Sequence, residues 1–252
     1  MDDLLRATAD AEARHFWFRG FRAFVTPLVA RASRQRTGSG VARVLDCGCG
    51  TGANLALLNR FGRAFGFDLS AQGLKFARQA GRALVVRASA TAAPFPAGAF
   101  DIVTSFDVLY ALDDRSEREA IQEMYRLLTP GGFAVINVAA LEVLRGDHSV
   151  LSHEVRRYTR AGLRARLTEA GFSIERITYT NFLLFPAMAV ARTLQRRRGL
   201  KAEAEAQGEI RIPPAPINGA LTALLLLESL WLRWFDAPAG SSLLCLARKP
   251  GA

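Results

Sequence analysis

The chain has 252 residues, half of them hydrophobic and 22% charged. That composition supports a sizeable buried core and excludes collagen-like, coiled-coil and disordered classes. Basic residues outnumber acidic ones by 33 to 23, a formal charge of +10, and only Lys75, Lys201 and Lys249 are lysines; an Arg-rich solvated surface accounts for this as simply as an anionic partner does.

Residues 1–40 read as an amphipathic helical cap. Phe16, Phe18, Phe21, Phe24 and Leu28 recur at helical spacing, and Pro27 is expected to interrupt the run. Ser33 to Gly40 is polar and reads as a loop. Short apolar runs then alternate with helical patterns. The strand candidates are 41–47, 63–69, 82–88, 100–106 and 132–140; the helices are 53–61, 71–80, 116–128 and 160–170. Such alternation indicates an α/β fold whose parallel sheet is covered on both faces. Two further strands are expected at 172–180 and 242–249. The stretch between them is too long for a hairpin loop and reads as a helical insertion over 182–240. The core domain is then 41–181 with 241–252.

The cysteines carry no disulfide framework. Cys47 and Cys49 are too close in sequence to bridge, and Cys245 is alone. No zinc spacing is present, so no metal is expected. The segment MDDLLRATADAEARHFWF lacks an apolar signal core, so a cytoplasmic location is expected.

The strongest local signal is the run Val44 to Ala53. An apolar strand ends in Asp46, then Gly48, Gly50 and Gly52 alternate with Cys47, Cys49 and Thr51 before a helical pattern begins. In an open α/β sheet, ligands bind beyond the carboxyl ends of strands, and Gly lets backbone approach them closely. Gly48, Gly50 and Ala53 also satisfy a dinucleotide fingerprint, which alone selects no cofactor. Asp68 ends the next strand, where a carboxylate can accept both ribose hydroxyls. Asp46 would repel a pyrophosphate and suits a cationic ligand, which disfavours NAD and favours a positively charged adenosine derivative. As purely structural residues, Asp46 would brace the loop and Asp68 would hold a turn before Ser70.

Together Asp46-x-Gly48-x-Gly50-x-Gly52, Asp68, PFPAGAFDIV (94–103), SFDVLYAL (105–112) and LLTPGG (127–132) resemble the class I S-adenosylmethionine-dependent methyltransferases. The likeness is greatest to the branch that includes the quinone-biosynthesis C-methyltransferases. It implies a Rossmann-like seven-stranded sheet in the order 3-2-1-4-5-7-6, with the last strand antiparallel. It also implies S-adenosylmethionine as cofactor. Asp46, Gly48, Cys49, Gly50 and Gly52 would lie near its methionine part. Asp68 would hold the ribose and Leu69 would flank the adenine. Ser89 and Ala90 would pass the adenine edge; Phe106 and Asp107 would line the floor near the methyl group. Two positions depart from the pattern: Ser89 stands where Asp is frequent, and Ala111 where many relatives have His. Residues 127–132 read as turn chemistry. A looser likeness joins His15-Phe16-Trp17-Phe18-Arg19, the stretch from His148 to Thr159 and SLLCLARKP to bacterial methyltransferases of mostly unassigned substrate.

The acceptor site is expected over the fourth and fifth strands. Candidates there are Tyr110, Asp147, His148, His153, Arg157 and Tyr158, with His148 the first choice for a base because His titrates near neutrality. Tyr110 and His153 are the other catalytic candidates. Arg156, Arg157 and Arg160 read equally as binders of an anionic acceptor and as the solvated edge of the following helix.

Within the insertion, Phe182–Ala191 and Leu221–Leu227 are apolar but too short to span a bilayer. Arg192, Arg196, Arg197, Arg198 and Lys201 beside one run, with Trp231 and Trp234 in the other, suit an interfacial element. A cover for the acceptor pocket, an oligomer interface and a peripheral contact with the inner membrane face through 182–201 and 221–235 are the three readings, in a monomer or homodimer. The expected function is methyl transfer to a small or lipid-like hydrophobic acceptor at oxygen, carbon or nitrogen. The alternative is a cofactor-binding protein with other chemistry or a non-catalytic partner role. A nucleic-acid substrate is not expected, because the basic residues are scattered and no Asn-Pro-Pro-Tyr-type motif occurs.

Overall fold

The computed structural model describes residues 9, 11–146, 149, 153–198 and 212–251. Its centre is one seven-stranded sheet in the order β3-β2-β1-β4-β5-β7-β6. The strands are β1 (Arg43–Cys47), β2 (Arg63–Asp68), β3 (Val85–Arg87), β4 (Phe100–Phe106), β5 (Leu128–Ala139), β6 (Ser173–Thr180) and β7 (Ser242–Arg248). The pairs from β3 through β5 are parallel, and β7 runs antiparallel to both β5 and β6. This is the expected fold class and strand order. Every residue of β4 is buried, Asp101, Thr104 and Ser105 included, which explains why FDIVTSF shows no alternation of apolar and polar residues.

The parallel pairs require helical crossovers. These include α2 (Ala53–Leu58), α3 (Ala71–Gln79) and α4 (Asp114–Leu127). Ser70 caps α3 by accepting from the Gly73 amide, and Asp113 caps α4 by accepting from Arg115 and Ser116. After β5 come α5 (Arg160–Glu169), then β6, then α6 (Phe185–Arg198) and α7 (Ala215–Trp231). The strand order reverses direction between β1 and β4. A crevice therefore opens beyond their carboxyl ends, where the glycine-rich loop leaves β1.

Helix α1 (Phe16–Gln35) precedes the sheet and buries Phe24, Val25, Leu28, Val29 and Ala32 against it. Pro27 lies inside this helix and does not break it, contrary to expectation. Its missing N–H loses one helical bond, and the buried face on either side of it holds the helix together. The turn expected at 127–132 is also corrected. Leu128 to Gly132 is already strand, with a register shift between Phe100 and Ile102. Gly131 takes φ +78° there and donates its N–H to the carbonyl of Lys249.

Helix α7 packs on α1. A β-carbon on Gly20 would clash with Leu225, so glycine is what allows the approach. Asn218 of α7 accepts from the Phe16 amide at 2.8 Å and donates to the Arg14 carbonyl at 2.9 Å, fixing the start of α1. Glu228, buried in α7, accepts from the amides of Phe182 and Leu183 at 2.8 and 3.1 Å. The insertion is thereby tied at its entry and along α1. No described helix is long and apolar enough to cross a membrane.

Candidate functional site

Asp46 is the penultimate residue of β1 and is buried. Its Oδ1 accepts from the Thr104 hydroxyl at 2.7 Å; its buried Oδ2 has no hydrogen-bond partner among the described residues. Burial raises its carboxyl to about 7; the Thr104 bond opposes this, and nearby Asp68 adds to it. The loop that follows turns on Gly48, Gly50 and Gly52, all at positive φ. The amides of Gly48 and Cys49 donate to the Phe67 carbonyl, pinning the loop across the end of β2. A β-carbon on Gly48 would strike Val108, and one on Gly52 would come within 2.8 Å of the Ala77 side chain. At Gly50 the same space is open.

Asp68 ends β2, half-buried. It accepts from the Gly50 amide on one oxygen and the Ser70 amide on the other, both at 2.8 Å. Each carboxylate oxygen keeps a further lone pair. Leu69, next in the chain, is 61% exposed. Ser89 and Ala90 are half-buried, and the Ser89 hydroxyl is bonded to that of Thr91 at 2.9 Å. Phe106 is buried with its ring edge-on to Phe21. The cofactor candidates thus gather along the carboxyl ends of β1, β2 and β4, while Ser89 and Ala90 follow β3.

Beside this crevice lies a cavity of about 410 Å³. Its floor includes Asp107, Ala139 and Ser242 at the strand ends; its walls include Tyr110, Leu144, Glu154 and Arg157. His15, Phe16, Trp17 and Phe18 close one side, and Leu184, Met188 and Leu221 of the insertion close another. Asp107 sits at φ +60°, its amide donating to the Asn137 carbonyl and its Oδ1 accepting from the Asn137 side chain at 2.9 Å. Surrounded by protein though open to the cavity, its carboxyl is raised to about 7. Burial is the main cause; Asn137 opposes it, Glu154 adds to it and Arg157 opposes it. Arg157 and Glu154 are paired through two bonds of 2.8 and 3.0 Å, and Arg157 also reaches the Ala140 carbonyl at 3.1 Å.

The acceptor candidates divide. Tyr110 and Arg157 line the cavity. His153 is exposed and is not among the lining residues. Tyr158 turns away to donate to Glu117 at 2.6 Å. Arg156 is paired with Glu117 and Asp114, and Arg160 donates to the Ala237 carbonyl, so both serve the framework. Asp147 and His148 lie outside the described residues, as does Lys201. Sequence reasoning missed Asn137, Ser242 and Glu12. Asn137 was detectable as the one polar side chain in the apolar run GFAVINVAA. Glu12, half-buried, accepts from the Thr51 hydroxyl of the glycine loop at 2.6 Å, a contact with no local signature. The thiols of Cys47 and Cys49 beside the site are pushed up, chiefly by burial.

Residues 45–136 match the family described as Methyltransferase domain. That segment is a methyltransferase domain. A malonyl-[acyl-carrier protein] O-methyltransferase from Enterobacter lignolyticus is 37% identical over 123 residues, 46% of this chain and 45% of the relative. A tRNA (carboxymethyluridine(34)-5-O)-methyltransferase from Arabidopsis thaliana is 36% identical over 110 residues, 43% of this chain and 26% of the relative. The chain spans less than half the length of these curated relatives. Among solved structures, the fold is similar to a chain in the complex of the Haloferax volcanii Trm112 methyltransferase activator with its candidate methyltransferase. The TM-score is 0.60 at 20% identity, covering 99% of this chain and 95% of that one.

Proposed function

We propose that this methyltransferase domain acts on a small or lipid-like acceptor with a mostly apolar body, methylated at oxygen, carbon or nitrogen. The observation that carries the reading is the junction of crevice and cavity. Gly48 of the loop packs against Val108, and the preceding residue, Asp107, is the cavity floor. A donor in the crevice and an acceptor in the cavity would then meet over one wall.

The residues present fit the cofactor. S-adenosylmethionine supplies, when bound, a methyl group activated on a cationic sulfonium. Asp46 brings a buried, unpartnered carboxylate oxygen toward the cationic end, and Asp68 keeps lone pairs for ribose hydroxyls. Leu69 offers an exposed apolar face for the adenine. The open side of Gly50 leaves room where a side chain would intrude.

On the acceptor side, Phe16, Trp17 and Phe18 exclude water and confine the acceptor, which strengthens every electrostatic contact within. Asp107, oriented by Asn137 and raised to about 7, is suited to receive a proton if the acceptor loses one near neutrality. Of the catalytic candidates, Tyr110 is the one among the described residues that lines the cavity. The aromatic and aliphatic lining favours a small molecule over a nucleic acid.

The test is incubation with methyl-labelled cofactor and, separately, lipid extract, a panel of phenols and total tRNA. Label is expected in the lipid or phenol fraction. Label in tRNA alone would overturn the acceptor class, and label in none would overturn the reading itself.

A further inference from the structure

Helix α7 is almost free of charge, and its outward face is apolar. Ile217, Leu226, Leu227, Leu230 and Trp231 are exposed along it, and Trp234, just beyond, is 82% exposed. Water makes such a face costly unless something covers it. The aromatic residues form one ridge: Phe182 stacks on Trp231 at 6.2 Å, and Trp231 on Phe235 at 5.7 Å. The helix's sole acid, Glu228, is turned inward onto the Phe182 and Leu183 amides. Asp236, which follows the ridge, is paired with Arg176.

The neighbouring α6 shows the same character. Val190 and Leu194 are exposed, the helix contains no acid, and exposed Arg197 and Arg198 stand at its end. Arg233 is exposed between the ridge residues. Among residues 182–198 and 212–235, therefore, no acidic group faces outward, while several cations do. A second copy would bring these cations against their equals. An anionic surface complements them. Apolar and aromatic side chains edged by Arg are what a helix lying in a bilayer interface requires.

We infer that the outward faces of α6 and α7, with the Trp231–Phe235 ridge, dock the chain on an anionic phospholipid bilayer. The cavity reaches the same surface, because Ala187 of α6 is both exposed and a cavity-lining residue. That the acceptor is drawn from the bilayer rests on the proposed methyl transfer; the docking does not.

Flotation of the full chain with phosphatidylcholine vesicles, with and without phosphatidylglycerol, tests this. The double variant Leu227→Ser, Trp234→Ser changes two exposed side chains and should leave S-adenosylmethionine binding, read by calorimetric titration, unaltered. The wild type should float with the phosphatidylglycerol vesicles, less so as salt is raised. The variant should partition roughly tenfold less or weaker still. A wild type that does not float, or a variant that floats equally, overturns the inference. So does a dimer in size-exclusion chromatography that the variant converts to monomer, since a second copy then covers the face. Flotation without cofactor binding would support the docking and sink the methyl-transfer reading instead.

Discussion

Asp46 and Asp107 flank the crevice and share one property: each carboxyl is raised to about 7, above the ordinary value of 3.8. At Asp46, which is buried, the folded chain therefore holds a proton that the unfolded chain has already released between roughly pH 4 and 7. By linkage, stability falls as pH rises through that window, and the loss is complete above it. For Asp46 the penalty is on the order of a few kcal/mol. In Asp46→Asn the Thr104 bond is kept and the titration removed. Thermal melts should show the wild type losing ground to this variant between about pH 4 and pH 8. A difference that stays constant with pH would contradict the assignment. Under the proposed function, a cationic ligand near Asp46 would offset that penalty.

The glycines of the loop separate packing from binding. Gly48→Ala drives a β-carbon into Val108 and should destabilise by about 1–3 kcal/mol or more. Gly50→Ala meets open space and should cost about 1 kcal/mol through its positive φ alone. Cofactor affinity should nonetheless fall strongly in Gly50→Ala, as read by titration. Unchanged affinity would mean that no ligand passes there. Both Asp46 and the glycines were legible in the sequence, because acid-then-glycine at a strand end is a local pattern. Asp107 was legible only through resemblance. Its control by Asn137, Glu154 and Arg157 was not, since those groups arrive from two other segments.

Elements explain what the local pattern could not. Strands β1 to β5 and the helices between them were readable from apolar runs alone, with ends correct to within a few residues. Pro27 was misread because propensity counts the lost hydrogen bond and not the buried stripe that outweighs it. The 127–132 segment was misread because Pro-Gly-Gly signals a turn, yet here the glycine serves a shifted register inside β5. The apolar runs after β6 fall in α6 and α7, but the seat of α7 on α1 depends on Gly20, which carries no pattern of its own. Gly20→Ala should push Leu225 outward and destabilise by about 1–3 kcal/mol, despite alanine's better helix propensity. Chemical denaturation measures this directly; an unchanged or raised midpoint would show that α7 is not held there.

At the scale of the whole molecule, segments distant in sequence meet at one place. His15 caps α1, Phe16 opens it and Ser242 opens β7, more than 200 residues away, and all line the same cavity. Ser242 was invisible to sequence reasoning because only the antiparallel insertion of β7 beside β5 carries it there. The +10 charge, read at first as a scattered surface, leaves the outward faces of α6 and α7 with cations and no exposed acid. The cavity and the crevice lie on the side of the sheet where the parallel strands end.

Calorimetric titration with S-adenosylmethionine, its demethylated product and NAD, on the wild type and Asp68→Ala, tests the central claim most directly. The account predicts micromolar-order binding of the first two, none of NAD, and at least about a tenfold loss in the variant, or roughly 1.4 kcal/mol. Binding of NAD instead, or equal binding of S-adenosylmethionine by Asp68→Ala, would contradict it.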